Sequence, residues 1–405
     1  MTDGPATAPP GGGGRRWRVP MVARDAGEPH RTATPLELLF DLTFVVAVAA
    51  AAAQLAHAIV EGHTAQGLVG YLMVFFAIWW AWMNFTWFAS AYDPDDAPYR
   101  LVTLLQMGGV LVLAAGVPAA LNEQDWTAVT IGYVIMRVAM LVQWMRAGHD
   151  DPGRAVTSRR YEVGIALVQA AWIARLALPE TAGFVGYFVL VAAELALPVW
   201  AERHASITWH PHHIAERHGL FTLIVLGESV LATSRALAPA VRAGVNLDTV
   251  LVGIGGLVLL FGCWWLYFLA PAGYGLVHHR ERSYWWSYTH YGIFAGLAAL
   301  GAALEVVAET LTHHIASPIG LVGFVVATPV CVFLLLEWAL HAPLEIGPSP
   351  RLGYVLVACV VLLGVAAATM AGLMLPWAVV AMSVPVCGVV ATRVVADHRK
   401  AQRRT

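Results

Sequence analysis

The chain has 405 residues, of which 59% are hydrophobic and only 12% are charged. Soluble globular domains have about 45–50% apolar and about 25% charged residues, so the composition excludes an ordinary water-soluble fold. The formal net charge of −2 is uninformative by itself, and we expect no nucleic-acid partner. Apolar segments long enough for an α-helix to cross a bilayer recur along the chain. They are continuous rather than alternating, which predicts an all-α, polytopic transmembrane helical bundle rather than a β-barrel.

Residues 1–35 differ from the rest of the chain, because they are rich in Gly, Pro and Arg. They lack the apolar stretch of a signal peptide. This composition predicts a disordered basic arm near the membrane surface. The four cysteines of the chain lie scattered in apolar stretches without a CxxC pair. Neither a disulfide framework nor a cysteine metal site is therefore expected.

Beyond the arm, the hydrophobic pattern predicts twelve membrane-spanning helices. The last two share the short connection "GLMLPW", so eleven spans, or ten with a re-entrant pair, are the alternatives. The predicted spans are residues 36–59, 67–91, 100–121, 126–147, 160–178, 182–202, 214–237, 246–270, 284–309, 316–340, 352–373 and 375–396.

Arginine residues are distributed unevenly between the loops that join these spans. If the N-terminus lies inside, the outer side receives only Arg175, Arg235 and Arg242, and the cytoplasmic side receives the remaining loop arginines. Positive charge is enriched in cytoplasmic loops. The distribution predicts a multi-pass protein of the cell membrane with both termini in the cytoplasm, ending in a basic cytoplasmic tail at 397–405.

An internal repeat is indicated by two aromatic segments. The segment "FAIWWAWMNF" at 76–85 resembles "FGCWWLYFLA" at 261–270, and the offset of 185 residues is half the chain beyond the arm. This predicts two six-helix membrane halves, 36–202 and 203–396, related by an axis along the membrane normal. The alternative is that tryptophan pairs at a membrane interface coincide by chance.

Carboxylates occur inside two of the apolar segments. In "TPLELLFDLTFVVAV", Thr34, Pro35 and Glu37 fit a helix N-terminus with a capping box, so Glu37 has a local structural explanation. Asp41 lies beyond the first turn, and Glu228 lies in the middle of the seventh span. A charge at mid-bilayer costs about 2.5–3.5 kcal/mol on insertion scales, so both acids need a partner, a proton or water.

Several polar residues are candidates to share one cavity with these acids. Arg217 lies eleven residues before Glu228, on nearly the same helical face, which suggests a polar lining. A buried structural pair of Glu228 with Arg137 is the alternative, and Glu194 is interpreted as a shallow residue near Arg203. We expect Asp41 and Glu228 to face a common cavity in which at least one of them exchanges a proton. The candidate residues of this cavity are Glu37, Asp41, Glu216, Arg217, Glu228 and His290.

Two further polar segments flank the spans. In "ERHASITWHPHHIAERHG", His212, His213 and Glu216 have the helical spacing of metal ligands, but the signal is weak and no metal is predicted. In "YDPDDAPYR", the acidic run either binds a cation or forms salt bridges to Arg100 and the basic loops, and we favour the salt bridges.

The aromatic segments are either interface anchors or the lining of a pocket for an apolar ligand. In the second case, the candidate lining residues are Trp80, Asn84, Trp265 and Tyr267.

Three of these segments resemble one bacterial family. "TPLELLFDLTFVVAV", "WWAWMNFTWFASAYDPDD" and "HIAERHGLFTLIVLGESV" are similar to the low temperature requirement protein A family, with Leu39 and His218 as departures from its usual pattern. The resemblance covers most of 34–396 and implies a bacterial inner-membrane protein linked to growth in the cold, without an established activity. The residues that match its pattern are Glu37, Phe40, Asp41, Asp93, Asp96, Glu216, Arg217, Gly227 and Glu228.

Two functional hypotheses follow. The first is a proton-linked secondary transporter or permease of an unknown small molecule, with the lipid bilayer and that solute as partners. The alternative is an intramembrane enzyme or a cofactor- or ligand-binding membrane protein, or else a sensing or channel role in cold growth. No P-loop, GxSxG or HExxH motif is present. We therefore assign no catalytic residue and no cofactor, and favour a protein that is not an enzyme.

Overall fold

The computed structural model describes residues 17–25, 27–28, 31–270, 272–312, 315–344 and 351–402. Within these ranges the chain forms helices and no strand, which confirms the all-α prediction. The helices are α1 (Pro35–Val60), α2 (Thr64–Ala91), α3 (Ala97–Asn122), α4 (Thr127–Asp150), α5 (Ala155–Arg175), α6 (Glu180–Glu202), α7 (Pro211–Ala243), α8 (Leu247–Phe268), α9 (Ala272–His278), α10 (Ser283–Glu309), α11 (Ile319–His341), α12 (Leu352–Met370) and α13 (Leu375–Gln402).

Each predicted span corresponds to a long helix, and eleven helices in the described ranges are long and apolar enough to cross a bilayer. The twelfth predicted span, α5, is not apolar enough to be counted among them. Its first turns contain Arg159, Arg160 and Glu162, which lower its hydropathy. It still packs between α4 and α6. The break between α12 and α13 is also present, where Gly372 adopts a φ of +103° that glycine accommodates without strain.

Helices α2 and α10 form the centre of the bundle. In their most apolar windows, 72% and 78% of the residues are buried inside the protein, against 28% in α6 and 33% in α12. Trp79, Trp80 and Trp82 of α2 are therefore core residues, with exposed fractions of 1% or less. The aromatic segment of α2 packs the core, so it does not supply anchors at a membrane interface.

The order of helix packing is alike in the two predicted halves. Helix α1 packs on α3, α3 on α4, α4 on α5 and α5 on α6; likewise α7 packs on α10, α10 on α11, α11 on α12 and α12 on α13. The tryptophan pairs that suggested the repeat have different surroundings, since Trp264 and Trp265 are 43% and 50% exposed. The division at 36–202 and 203–396 stays a prediction.

The amino-terminal segment differs from the disordered arm expected for 1–35, of which residues 1–16, 26, 29 and 30 lie outside the described ranges. Met21 is fully buried, and its backbone N–H donates to Asp150 at 3.0 Å. The N–H of Arg24 donates to the carbonyl of Ala91 at 2.9 Å. The amino-terminal segment packs on the helix bundle because its arginines and backbone N–H groups bind acidic side chains of the bundle. The predicted tail at 397–405 continues α13 as far as Gln402.

The two ends of the bundle are defined by their contacts. At the first end, the amino-terminal segment meets Asp96 and Asp150, and the carbonyl of Glu28 lies 3.0 Å from the His210 ring. At the second end, the N–H of Ala316 donates to the carbonyl of Val60 at 2.8 Å. The arginine asymmetry predicts that the first end is cytoplasmic.

Candidate functional site: a buried charge cluster

The start of α1 is fixed by a capping box, as predicted. The Thr34 hydroxyl accepts from the backbone N–H of Glu37 at 3.3 Å, and the Glu37 carboxylate accepts from the N–H of Thr34 at 2.7 Å. Pro35 occupies the first helical position, where the fixed φ angle of proline already has the helical value. One turn later on the same face comes Asp41, so the cap also sets the position of that carboxylate.

Asp41 binds α7 through Arg217. The Arg217 Nε donates to Asp41 Oδ2 at 2.8 Å, and its Nη2 donates to Oδ1 at 2.6 Å. The indole N–H of Trp82 on α2 donates to the same Oδ1 at 2.6 Å. All three side chains have an exposed fraction of 0%. The two parallel bonds are the strong bidentate form of an arginine–carboxylate pair, so α1, α2 and α7 are joined at this point.

Glu37 contacts three basic side chains, one of which is again Arg217. Its Oε1 lies 3.0 Å from Arg217 Nη1, 3.0 Å from His213 Nε2 and 3.4 Å from Arg31 Nη2. Arg31 also contacts a second carboxylate, since its Nη2 lies 3.3 Å from Asp93 Oδ2. His213 is one turn before Arg217 on α7, so both side chains face α1.

These six residues form what we call the buried charge cluster: Arg31, Glu37, Asp41, Asp93, His213 and Arg217. It contains three carboxylates against two guanidinium groups, so it carries one negative charge unless an acid or His213 holds a proton. Among the surrounding groups, Arg24 and Glu28 offset one another, whereas Glu216 adds a carboxylate beside the cluster. Arg24 pairs with Glu28 at 2.6 Å as well as with Asp93 at 3.4 Å. The other polar neighbours are Glu216, His210 and the Tyr99 hydroxyl.

Asp93 lies in the loop between α2 and α3, at the first end of the bundle. Burial, with the negative charge of Glu37 adding to it, raises its pKa to about 6 although Arg31 and Arg24 lower it. Its side chain is 3% exposed. The cluster therefore includes a carboxyl group that exchanges its proton close to physiological pH.

The structure brings part of the predicted cavity together and leaves part of it apart. Glu37, Asp41 and Arg217 are in direct contact, and Glu216 lies beside them, accepting from the N–H of Ala33 at 3.2 Å. Glu228 is elsewhere on α7, with Arg235 Nη1 at 3.9 Å from its Oε1.

His290 belongs to a separate aromatic group. Its Nε2 is 2.9 Å from the Tyr267 hydroxyl, and its ring centroid lies 4.6 Å from that of His218.

Glu194 differs from the shallow residue expected near Arg203. It is fully buried, and Arg137 donates to its Oε2 at 2.8 Å. The indole of Trp80 and the hydroxyl of Tyr133 donate to the same carboxylate at 2.8 and 2.7 Å. Arg137 therefore pairs with Glu194 and not with Glu228. No local sequence pattern indicates this pair, because its members lie on different helices 57 residues apart.

The acidic run after α2 forms salt bridges, which is the alternative that we favoured. Asp95 pairs with Arg100 at 2.8 Å, Asp96 pairs with Arg146, and Asp93 reaches Arg31.

Three residues of functional interest escaped the sequence analysis, and they are Arg31, His341 and Arg393. Arg31 belongs to the segment whose composition predicts a disordered arm, although it lies just before the capping box that starts at Thr34. Glu337 binds Arg393 and lies 2.9 Å from His341, forming another buried ionic group between α11 and α13.

The four residues predicted to line an apolar ligand pocket do not meet at one place. Trp80 is bonded to Glu194, Tyr267 to His290, and Trp265 is on the outer surface. Asn84 does line a pocket, at the first end of the bundle.

The weak metal candidates have other contacts. His213 faces Glu37, Glu216 faces Ala33, and the His212 ring packs on Tyr274. Within the described ranges, no group of three or more His, Cys, Asp or Glu side chains is arranged to hold a metal ion.

Together, these helices define a multi-pass α-helical membrane protein with a charge cluster buried between α1, α2 and α7. Residues 32–391 match the bacterial low temperature requirement A protein (LtrA) family, and the chain belongs to that family. A protein of Rhizobium meliloti, described as uncharacterized, is 25% identical over 249 residues, which cover 57% of either chain. The chain thus spans little more than half the length of this relative. No solved structure matches it.

Proposed function

We propose that this protein is a proton-linked secondary transporter of a small molecule in the bacterial inner membrane, with both termini cytoplasmic. The observation that carries the proposal is the buried charge cluster, which has one more acid than it has permanent cations. A proton on Asp93, His213 or a neighbouring acid makes the cluster neutral, and its loss leaves a net charge in a dry protein interior. Such a charge is tolerated when water enters. Protonation is thereby coupled to hydration of the site.

The location of the cluster supports this role. It joins α1 to α7, which are the first helices of the two predicted halves. In many transporters, access alternates because one repeat rocks against the other around a fixed site. A rocking motion would separate Asp41 from Arg217 or admit water between them. The proton state of the cluster would then bias the protein towards one arrangement.

Cavities along α2 also fit a transporter that is open to one side. A vestibule of about 930 Å³, lined by Gln66 and Arg175 among others, lies at the second end. It shares Met73 with a groove of about 370 Å³. That groove shares Tyr288 with a narrow pocket of about 30 Å³ at the first end. Of these three cavities, the one at the second end is the largest and the one at the first end is the smallest.

The test is solute-driven current in proteoliposomes on a solid-supported membrane. The panel consists of amino acids, sugars, organic acids and small amines, each applied with and without a pH gradient. We expect at least one solute to give a saturable current whose size follows the pH gradient. Asp41→Asn should abolish that current, whereas Asp95→Asn should leave it unchanged, because Asp95 belongs to an exposed pair with Arg100.

The outcomes separate transport from the alternatives. A current that does not saturate and ignores the pH gradient would indicate a channel. No current from any member of the panel, with correctly inserted protein, would count against a transporter. Retained coupling in Asp41→Asn would remove the cluster from the mechanism.

A further inference from the structure

The narrow pocket at the first end is walled mainly by aromatic side chains from α2, α4, α5 and α10. Trp144 stacks on Tyr161 with ring centroids 4.1 Å apart, and Trp87 lies parallel to Tyr284 at 6.3 Å. Tyr288 closes the side towards the apolar groove. The faces of aromatic rings carry negative potential and attract cations.

One carboxylate enters this aromatic enclosure. Glu202, the last residue of α6, lines the pocket, and its Oε1 accepts from the Tyr161 hydroxyl at 2.5 Å. The Tyr284 hydroxyl and the backbone N–H of Ile207 are further neutral donors beside this carboxylate. Among the described residues that line the pocket, Glu202 is the charged one, and none of them is basic. The charge of Glu202 therefore has no cationic partner on the pocket wall.

Two neutral oxygens on the wall are also free to accept. The Ser287 hydroxyl is buried and has no hydrogen-bond partner among the residues that the structure describes. The Asn84 side chain donates through Nδ2 to the carbonyl of Trp80 at 2.7 Å, which leaves its Oδ1 as an acceptor. With Glu202, the pocket thus offers three acceptor groups from α2, α6 and α10. These three acceptor groups match a ligand that carries several N–H donors on one positively charged nitrogen atom.

The volume of the pocket limits the size of that ligand. Its roughly 30 Å³ corresponds to about two water molecules, since one water needs about 10–15 Å³ on this measure. Ammonium and methylammonium are of this size, whereas a quaternary ammonium is larger and lacks N–H donors.

We propose that this pocket is a binding site for a small primary ammonium ion, with Glu202 as the counter-charge and Ser287 and Asn84 as acceptors. Binding is an equilibrium property of the protein in detergent. It requires no transport, so this inference does not depend on the proposed function.

The test is binding of radiolabelled methylammonium to the purified full-length protein, measured by scintillation proximity at constant ionic strength. We expect saturable binding that unlabelled ammonium displaces and that sodium does not. Glu202→Gln should weaken binding about tenfold or more, because a charge-assisted hydrogen bond is lost. Glutamine keeps the shape and still accepts from Tyr161, so the fold is retained. Ser287→Ala should weaken binding less, about threefold to tenfold.

Two controls make the result decisive. Glu305→Gln removes another partly buried acid, on α10 at the second end, and should bind like the parent. Tetramethylammonium should compete at least about tenfold more weakly than methylammonium if size and N–H donors matter. Equal competition by the two cations would overturn the assignment of a primary ammonium.

Absence of saturable binding in folded parent protein would also overturn it. In that case water fills the pocket and bonds to the Ser287 hydroxyl and to the Trp87 indole N–H, which likewise has no hydrogen-bond partner in the described part of the chain.

Discussion

Asp41 and Glu228 both interrupt apolar segments, yet the structure gives them very different surroundings. Asp41 is fully buried and receives three hydrogen bonds, two from Arg217 and one from Trp82. Glu228 has a side chain that is 12% exposed, and its nearest cation, Arg235, is 67% exposed and 3.9 Å away. One acid is part of a network that joins three helices, and the other lies at the edge of its helix bundle.

This difference shows how much an apolar sequence context reveals about the surroundings of an acidic residue. An acid in an apolar run must be compensated, and both acids are. The run does not reveal whether the compensation is a dedicated partner or nearby solvent. That depends on which face of the helix points inward. About three turns of α7 separate Arg217 from Glu228, since one turn has about 3.6 residues, and a small deviation from ideal helix geometry over that distance moves a side chain to another face.

The largest expected effect concerns the Asp41–Arg217 pair. Asp41→Asn leaves Arg217 buried with only part of its partners and should lower the free energy of unfolding by about 3–5 kcal/mol. Arg217→Met should cost a similar amount, because two carboxylates then lie close together without it. The double variant should recover part of the loss, since no unpaired charge remains at that position. Unfolding in mixed micelles, followed by tryptophan fluorescence, measures all three.

Glu228→Gln is the comparison within the same helix, and Asp95→Asn is the comparison for an exposed ion pair. Surface ion pairs contribute about 0–1 kcal/mol to the free energy of unfolding. Both variants should therefore unfold with nearly the same free energy as the parent. If Asp41→Asn also stayed within 1 kcal/mol of the parent, the pair would be solvated and the distinction between the two acids would fail.

Asp93 gives the second effect, which appears as a pH dependence. Its pKa is raised from 3.8 to about 6 in the folded protein, so the folded state holds the proton more tightly than the unfolded state. Stability from this group is fully present below about pH 4 and is lost as the pH rises to about 6. The total change is about 3 kcal/mol. Asp93→Asn should remove that slope, which unfolding measured at several pH values between 4 and 7 detects.

The slope, not the absolute stability, is the quantity to compare, because Asp93→Asn also alters the contact with Arg31. An unchanged slope in the variant would assign the titration to another group, such as Glu216 or His210.

Much of the fold follows from composition and hydrophobic pattern. Segment length located the long helices, and the sequence "TPLE" predicted the capping box at Thr34 because the cap is a local interaction. α5 shows where the pattern is weakest, since charged residues in its first turns leave it below the hydropathy of a membrane span. Local signals of this kind need no knowledge of tertiary structure.

The site was only partly predictable, since its bonds are long-range. Glu37, Asp41 and Arg217 were identified one by one, but their contact spans 176 residues. Arg31 was missed because a Gly- and Pro-rich composition indicates disorder, whereas acidic partners on the bundle order the segment. Trp82 was one aromatic residue among many, and its bond to Asp41 depends on the rotation of α2. Such features require the packed structure.

Trp82 provides a third, smaller effect. Trp82→Phe keeps an aromatic ring beside Phe221 and Phe294 but removes the indole N–H that Asp41 accepts. The loss of one hydrogen bond to a buried charge should cost about 1.5–3 kcal/mol, together with a small packing term. Trp265→Phe is the matched control, because Trp265 is half exposed and should change stability by less than about 0.5 kcal/mol. Equal effects of the two substitutions would show that the indole N–H adds nothing at Asp41.

The smallest expected effect on stability belongs to Glu228, and here the functional readout decides. Glu228→Gln keeps the shape of the side chain and removes its titration, whereas Glu228→Ala removes both. If Glu228 exchanges a proton during function, as its position in the seventh span suggested, both variants should lose solute-driven current while inserting at normal levels. If Glu228→Gln works like the parent and only Glu228→Ala fails, the carboxylate serves as a hydrogen-bonding group. Proton coupling would then rest on the buried charge cluster alone, which Asp41→Asn tests in the same assay.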